Sequence, residues 1–418
     1  MYQAPRGTYD VLPSQQPFWR YVESSLSNSA QSFGYSRIDT PIFEDTNVFL
    51  RSVGLETDII GKEMYTFQDR GGQDLSLRPE GTAAVCRAYI EHGMQNSTLP
   101  VRLFYYAPMF RYDRPQAGRY RQLQQFGVEA IGDSDPALDL EVIELAMSSL
   151  QTLGLKNLRL VINSIGDTVD RPSYIKALKK YLEPHYESLG KDDQKRLEVN
   201  PLRILDSKDE KATKIAEAAP KSTDFLGSDA KQHWESLLKL LDFAGINYEI
   251  DHKLVRGLDY YTRTVFEIQP LDQGAQSTIC AGGRYDGLVE TLGGTPTPAI
   301  GWAAGVDRMI LNLLKEEAGE VPLPSPPITM AYSGESPKMQ SISIARLLRN
   351  ADHTVTLAPQ RSLRSQLRYA ASLGSKYVVI IGEKEFSEET VTLRDMDAGN
   401  QTSMTLEELL PALSKAKK

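Results

Sequence analysis

Cysteine is scarce in this chain. Cys86 and Cys280 are the two present among 418 residues, and they lie far apart in sequence. That excludes a disulfide-built scaffold and any cysteine-based zinc motif, and it makes a reducing cytoplasm the expected compartment. The five histidines are equally scattered, so no metal site is predicted from ligand spacing. No apolar run approaches the ~20 residues that a membrane helix needs, so no membrane partner is expected. The N-terminus, MYQAPRGTYDVLP, has Pro, Arg and Asp where a secretory leader needs an apolar stretch. Internal repeats and low-complexity tracts are also missing. Positive charge is in deficit: a net charge of −8 argues against a sequence-independent nucleic-acid binder, although it leaves room for a local site. What remains is ordinary: 41% apolar and 24% charged residues, as in a soluble enzyme of two or three domains.

The charge that is present is concentrated. Arg111, Arg114, Arg119 and Arg121 fall within eleven residues of FYYAPMFRYDRPQAGRYRQLQQFGVEAIG, with no lysine among them. Arginine without lysine points to planar, bidentate recognition of phosphate or carboxylate rather than to a diffuse positive surface. The segment reads as an apolar strand, Leu103–Phe110, a loop broken by Pro115 and Gly118, and a return strand to Ile131. The competing reading is a solvated basic hairpin tip. It weakens because Arg111 directly follows the strand, while Gln125 and Glu129 share one face of the return arm. A hairpin with arginines on one arm and a carboxylate on the other can hold a nucleotide and an amino acid side by side.

The clearest boundary is EEAGEVPLPSPP, residues 316–327, which breaks both helix and strand. Beyond it, residues 328–418 carry a net +2 against −10 for the remainder, so a polyanionic partner's second foothold is expected there. That stretch reads as a small α/β domain. Strands are predicted at 328–332, Thr354–Ala358 and 377–381, with helices from Ser336 to Asn350 and from a Ser362 cap to near Gly374. In the second helix Leu363, Leu367, Ala370 and Ala371 form an apolar stripe, with Arg361, Arg364 and Arg368 on the other face. Before the linker, residues 1–166 and 246–315 have the texture of an antiparallel-rich sheet with flanking helices. Residues 168–245, rich in Lys, Glu and Leu, read as a helical insertion. The fold class is α/β, with an α+β catalytic core.

These strings resemble the histidyl-tRNA synthetases, a family of class II aminoacyl-tRNA synthetases, over essentially the whole chain. RIDTPIFE with Pro41 is similar to motif 1, the family's dimer-forming element, Phe110–Glu129 to motif 2, and GWAAGVDRMILNLL to motif 3. LVRGLDYYTRTVFE and AGGRYDGL resemble the family's two histidine-specific motifs, and RPEGT its amino-group loop. The C-terminal RSLRSQLRYAASLGSKYVVIIGE resembles an anticodon-binding domain.

The resemblance implies ATP-dependent activation of L-histidine and its transfer to tRNA(His), with Mg2+ accompanying ATP and a homodimeric enzyme. It implies that Arg111 binds the α-phosphate and the histidine carboxylate, that Arg256 faces the α-phosphate from the other side, and that Arg308 holds the γ-phosphate end and covers the adenine. Asp113 would read the adenine. Glu80, Thr82 and Gln125 would take the α-amino group; Glu129 and Tyr261 would take the two imidazole nitrogens, with Tyr285 nearby. The family's tRNA carries an extra 5′ guanosine, and Gln116 and Arg119 are the candidate readers, with Arg361, Arg364 and Arg368 toward the anticodon. Asp113 and Asp307 stand where the family usually has Glu, and Leu123-Gln124 replaces a Phe-His pair, so altered positioning rather than lost activity is expected. The competing reading is a non-catalytic, synthetase-like regulatory subunit of ATP phosphoribosyltransferase. Such paralogues generally lack the C-terminal domain and erode the catalytic arginines, whereas Arg111, Arg256 and Arg308 are all intact here.

Overall fold

In a computed structural model, the arms flanking the arginine cluster are central strands of a large sheet. Residues 2–54, 57, 59–115, 118–271, 278–315, 321–322 and 325–415 are described. They divide into two units, Met1–Val321 and Pro322–Lys418. The strands of the first unit are Ser36–Arg37 (β1), Phe43–Asp45 (β2), Tyr65–Gln68 (β3), Asp74–Leu77 (β4), Val101–Phe110 (β5) and Gln122–Ile131 (β6). They continue with Leu158–Ser164 (β7), Tyr248–Ile250 (β8), Thr262–Pro270 (β9), Cys280–Arg284 (β10) and Ala299–Gly305 (β11). Eight of them form one sheet in the order β1-β5-β6-β11-β10-β9-β7-β8, antiparallel except at its two edges. β2, β4 and β3 form a small separate sheet.

Alternation along β5 and β6 sorts their side chains onto two faces. Phe104, Phe126, Val128 and Ala130 enter the main core, packed beneath helices Gln16–Ser32, Pro136–Thr152 and Ser228–Phe243. Leu103, Tyr105, Ala107 and Met109 face the other way, where they pack with helix Thr82–Glu91 and Tyr285. Gln125 and Glu129 share that second face. Tyr105 lies so close over Gly81 and Gly127 that a Cβ at either position would overlap its ring. The sheet can therefore present polar groups on one side while the opposite side is dry.

The helices of residues 168–245 divide between two cores. Those from Arg171 to Glu217 build their own cluster around Tyr174, Leu178, Leu182, Leu197 and Ala212. Helix Ser228–Phe243 instead sends Trp234, Leu237 and Leu241 into the main core. Composition reads the same in both stretches, and the apolar contact each helix finds separates them.

In the second unit, Ile328–Tyr332 (β12), Val355–Leu357 (β13), Tyr377–Ile381 (β14), Thr390–Asp395 (β15) and Gln401–Thr405 (β16) form a sheet in the order β13-β12-β14-β15-β16. β13, β12 and β14 are parallel, as the βαβ reading predicts. The β15–β16 hairpin and the helices Glu383–Ser387 and Leu406–Lys415 were not predicted. Polar strands such as Gln401–Thr405 carry almost no apolar alternation to reveal them. The expected apolar stripe on helix Leu363–Ser372 also differs: Leu363 and Ala371 are exposed, and Gln366 and Ala370 are the buried positions. Gln366 fits there because its amide serves both the N–H and the C=O of Tyr332, at 2.9 and 2.7 Å.

Candidate functional site

Three arginines from distant parts of the chain, Arg111, Arg256 and Arg308, line one cavity of about 880 Å³. Each is held by the protein in a way that leaves donors free. Arg111, just past the end of β5, donates Nε to the Pro79 carbonyl at 2.7 Å. Arg308, in the first turn of helix Val306–Lys315, donates Nη1 to Thr278 O at 2.7 Å and Nε to Gly118 O at 3.3 Å. Carbonyl partners fix direction without neutralising charge. Burial, and then the neighbouring Arg119, pull the Arg308 guanidinium below its usual range. Arg256 is different. It pairs with Glu267 of β9, its guanidinium lies 5.9 Å from the Tyr261 ring centroid, and its buried Nε has no hydrogen-bond partner. Burial opposes that charge most strongly, but Glu267 together with Tyr261 and Tyr260 outweighs it, so the group is held above its usual range.

Asp113 and Arg119 face each other across the loop at 3.1 Å and line the same cavity. Gln116 lies outside the described residues. Asp307 is buried, accepting from the Tyr9 hydroxyl and from Gln124 N at 3.0 Å. It therefore ties the helix carrying Arg308 to the return arm β6.

The carboxylates sit deeper. Glu129, 1% exposed, accepts from Thr82 Oγ1 at 2.7 Å on one oxygen and from the Tyr285 hydroxyl on the other. Gly301 on the adjacent strand β11 leaves the room this carboxylate occupies, since a Cβ there would overlap it. Burial pushes the Glu129 carboxyl up to about 8, against the pull of its hydrogen bonds. Glu80 accepts from Thr82 N and Ala83 N at 2.7 and 2.9 Å, which caps the first turn of helix Thr82–Glu91. Burial raises its pKa as well, and those backbone bonds oppose the rise. Tyr261 is buried against Tyr260, with ring centroids 4.8 Å apart. Gln125 joins the two halves: it lines the cavity, its Oε1 is buried with no partner, and it shares the Glu129 face of β6.

The structure thus brings Arg111, Asp113, Arg119, Gln125, Arg256 and Arg308 around one cavity, with Glu80, Thr82, Glu129, Tyr261 and Tyr285 buried outside its lining. Arg361, Arg364 and Arg368 are exposed in the second unit. Glu267 and Tyr9 were not singled out from the sequence. Glu267 could have been found as a carboxylate within an apolar strand; Tyr9 carries no such signal, because its partner is 298 residues away.

A family model described as histidyl-tRNA synthetase matches residues 7–309, and one described as anticodon binding domain matches residues 331–416. A histidine–tRNA ligase of Dehalococcoides mccartyi is 52% identical over 417 residues, covering 99% of this chain and 100% of that protein. The crystal structure of apo S. aureus histidyl-tRNA synthetase superposes with a TM-score of 0.82 at 38% identity, covering 99% of each chain. A Bacillus halodurans protein described as an ATP phosphoribosyltransferase regulatory subunit/histidyl-tRNA synthetase has a TM-score of 0.66. At 24% identity, with 91% of this chain and 98% of that one covered, it shares the fold.

Proposed function

We infer how this site works from a fixed premise: the chain belongs to the histidyl-tRNA synthetase family. It is an aminoacyl-tRNA synthetase that activates histidine with ATP and transfers it to tRNA. In activation a carboxylate oxygen attacks the α-phosphorus in line and pyrophosphate leaves, so negative charge grows on the non-bridging oxygens. Fixed cations aimed at those oxygens stabilise that charge more than they stabilise the bound substrates.

In our reading Arg111 and Arg256 flank the α-phosphate, Arg308 covers the adenine and holds the γ-phosphate end, and Asp113 reads the adenine edge. Gln125, Glu80 and Thr82 take the α-amino group. Glu129 and Tyr261 take the two imidazole nitrogens, and Tyr285 steadies Glu129. The observation that carries this reading is the convergence of three arginines, two aimed by backbone carbonyls and one paired with Glu267, on a cavity whose lining residue Gln125 shares a strand face with the buried Glu129. Histidine would replace the Thr82 hydroxyl on Glu129 and favour the ionised carboxylate. An apolar competitor would displace the Thr82 hydroxyl without supplying a donor and leave that carboxylate oxygen unpaired, which supports discrimination of about 10⁴ or more without editing. Mg2+ would enter as MgATP, part of the substrate. Among the described residues no group of three or more His, Cys, Asp or Glu side chains is arranged to hold a metal.

Residues 1–315 would form the catalytic core, with 168–245 as its helical insertion and 316–327 as a linker, and 328–418 would bind the anticodon of tRNA(His) through Arg361, Arg364 and Arg368. Gln116 and Arg119 would meet the acceptor end. We also propose a homodimer built on the Tyr35–Glu44 region, where Ile42 and Phe43 are exposed and Phe43 meets Phe67 edge-on at 6.4 Å. The two free, buried cysteines suit the reducing cytoplasm, and among the described residues no helix is long and apolar enough to cross a membrane. Histidine-dependent ATP–pyrophosphate exchange followed by charging of tRNA tests the assignment with one preparation. Exchange supported equally by other amino acids would sink the pocket reading.

A further inference from the structure

The segment after β7 grips the loop that carries Tyr261, mostly from one short stretch, residues 165–171. Ile165 N donates to Arg263 O at 2.8 Å, and Arg263 N donates back to Gly166 O at 2.9 Å. The Asp167 carboxylate takes the Arg263 guanidinium in a fork, at 2.8 and 3.0 Å. Arg171 reaches the other end of the loop: Nη1 donates to Asp259 O at 3.4 Å, and Nη2 donates to Tyr261 O. From the same segment Asn200 Nδ2 donates to Asp259 Oδ1 at 3.4 Å.

Neither side of this contact is explained by its own local structure. Arg171 is the first residue of helix Arg171–Leu182, the end at which the helix dipole disfavours a cation. Its Nε is buried without a hydrogen-bond partner. Across the contact, Arg263 has φ of +45°, a left-handed conformation unusual for any residue but glycine or asparagine. The bonds between the two segments are what offset both features.

We propose that Arg171 is a positioning residue for histidine recognition. Through it and Asp167, the helical segment holds residues 259–263 so that Tyr261 keeps its place beside Glu129. The proposal rests on the reading of Glu129 and Tyr261 as the imidazole partners, and its test separates the two. In full-length protein, Arg171→Ala should raise the KM for histidine about tenfold in ATP–pyrophosphate exchange, with the KM for ATP changed less than about twofold. Arg171→Lys should recover part of this, because an ammonium cannot span both carbonyls as the guanidinium fork does. Glu129→Gln is measured alongside. If Glu129→Gln raises the histidine KM and Arg171→Ala does not, the clamp is overturned while the pocket stands. If neither does, the pocket reading falls and the clamp with it. A rise in both KM values, with a lower Tm and no recovery in Arg171→Lys, would make Arg171 merely structural and also overturn the proposal. Should Arg171→Ala fail to fold, Asp167→Asn loosens the same loop from its other end and must raise the histidine KM in the same sense; an unchanged value counts against the clamp.

Discussion

The two halves of the site differ in how their charges are kept. The arginines line an open cavity, and two of them are aimed by backbone carbonyls that leave their charge intact. The carboxylates of Glu80 and Glu129 are shut away, with their oxygens already occupied by protein donors. A cation prepared in advance needs little rearrangement when charge develops before it. A buried carboxylate with satisfied bonds must exchange a partner when its ligand arrives, so it selects the ligand by what would otherwise be left unpaired. On this comparison the cationic half should govern rate and the carboxylate half should govern which amino acid binds.

The hardest test of that division is Arg256. Arg256→Ala should slow histidyl-adenylate formation by about 10²–10³, with the KM for ATP changed much less, because one preorganised donor is lost from the transition state. Arg256→Lys should recover only part. Rapid-quench measurement of activation and transfer separately decides it: normal activation with slowed transfer would take Arg256 off the α-phosphate. The matching change on the other side, Glu129→Gln, should raise the KM for histidine about 10- to 100-fold and leave ATP binding nearly intact, as expected for loss of a charged acceptor. Steady-state kinetics in both substrates checks this, and an equal effect on the two would erase the distinction between the halves.

A smaller effect sharpens the comparison in the ligand-free protein. The Glu129 carboxyl is raised from 4.5 to about 8. Its contribution to stability is therefore fully present below pH 4.5 and is lost as pH rises toward and through 8. Glu129→Gln has no such term, so its Tm should gain on the wild type by a few degrees between pH 5 and 8. Thermal melts at several pH values would show it; a constant difference would mean that Glu129 is already ionised in the free enzyme. Smaller still should be Tyr9→Phe, which removes one donor from Asp307 and should raise the KM for ATP about two- to fivefold through the helix bearing Arg308. No change in that KM would leave Gln124 N sufficient to hold Asp307.

Much of this was legible in the residues. The β5–β6 hairpin follows from its apolar alternation, and alternation alone places Gln125 and Glu129 on one face. The parallel strands of the second unit follow from short β-rich runs between helices. Other features were hidden for definite reasons. Helix Ser228–Phe243 has the same Lys/Glu/Leu texture as the helices before it, so only its packing partner assigns it to the main core. Gln366 is absent from the apolar stripe expected on its helix, yet it is buried because both amide groups meet Tyr332.

Periodicity determined the β5–β6 hairpin and the parallel strands of the second unit, and the strings that resemble the histidyl-tRNA synthetases pointed to the family, since each depends on near neighbours in the chain. The tertiary structure alone decided which charges stay free and which are neutralised. Arg256 meets Glu267, Asp307 meets Tyr9, and Arg171 meets the Tyr261 carbonyl across separations of 11, 298 and 90 residues. A side chain's charge is written in the sequence, whereas the partner and burial that set what the charge can do exist only once the chain has closed on itself.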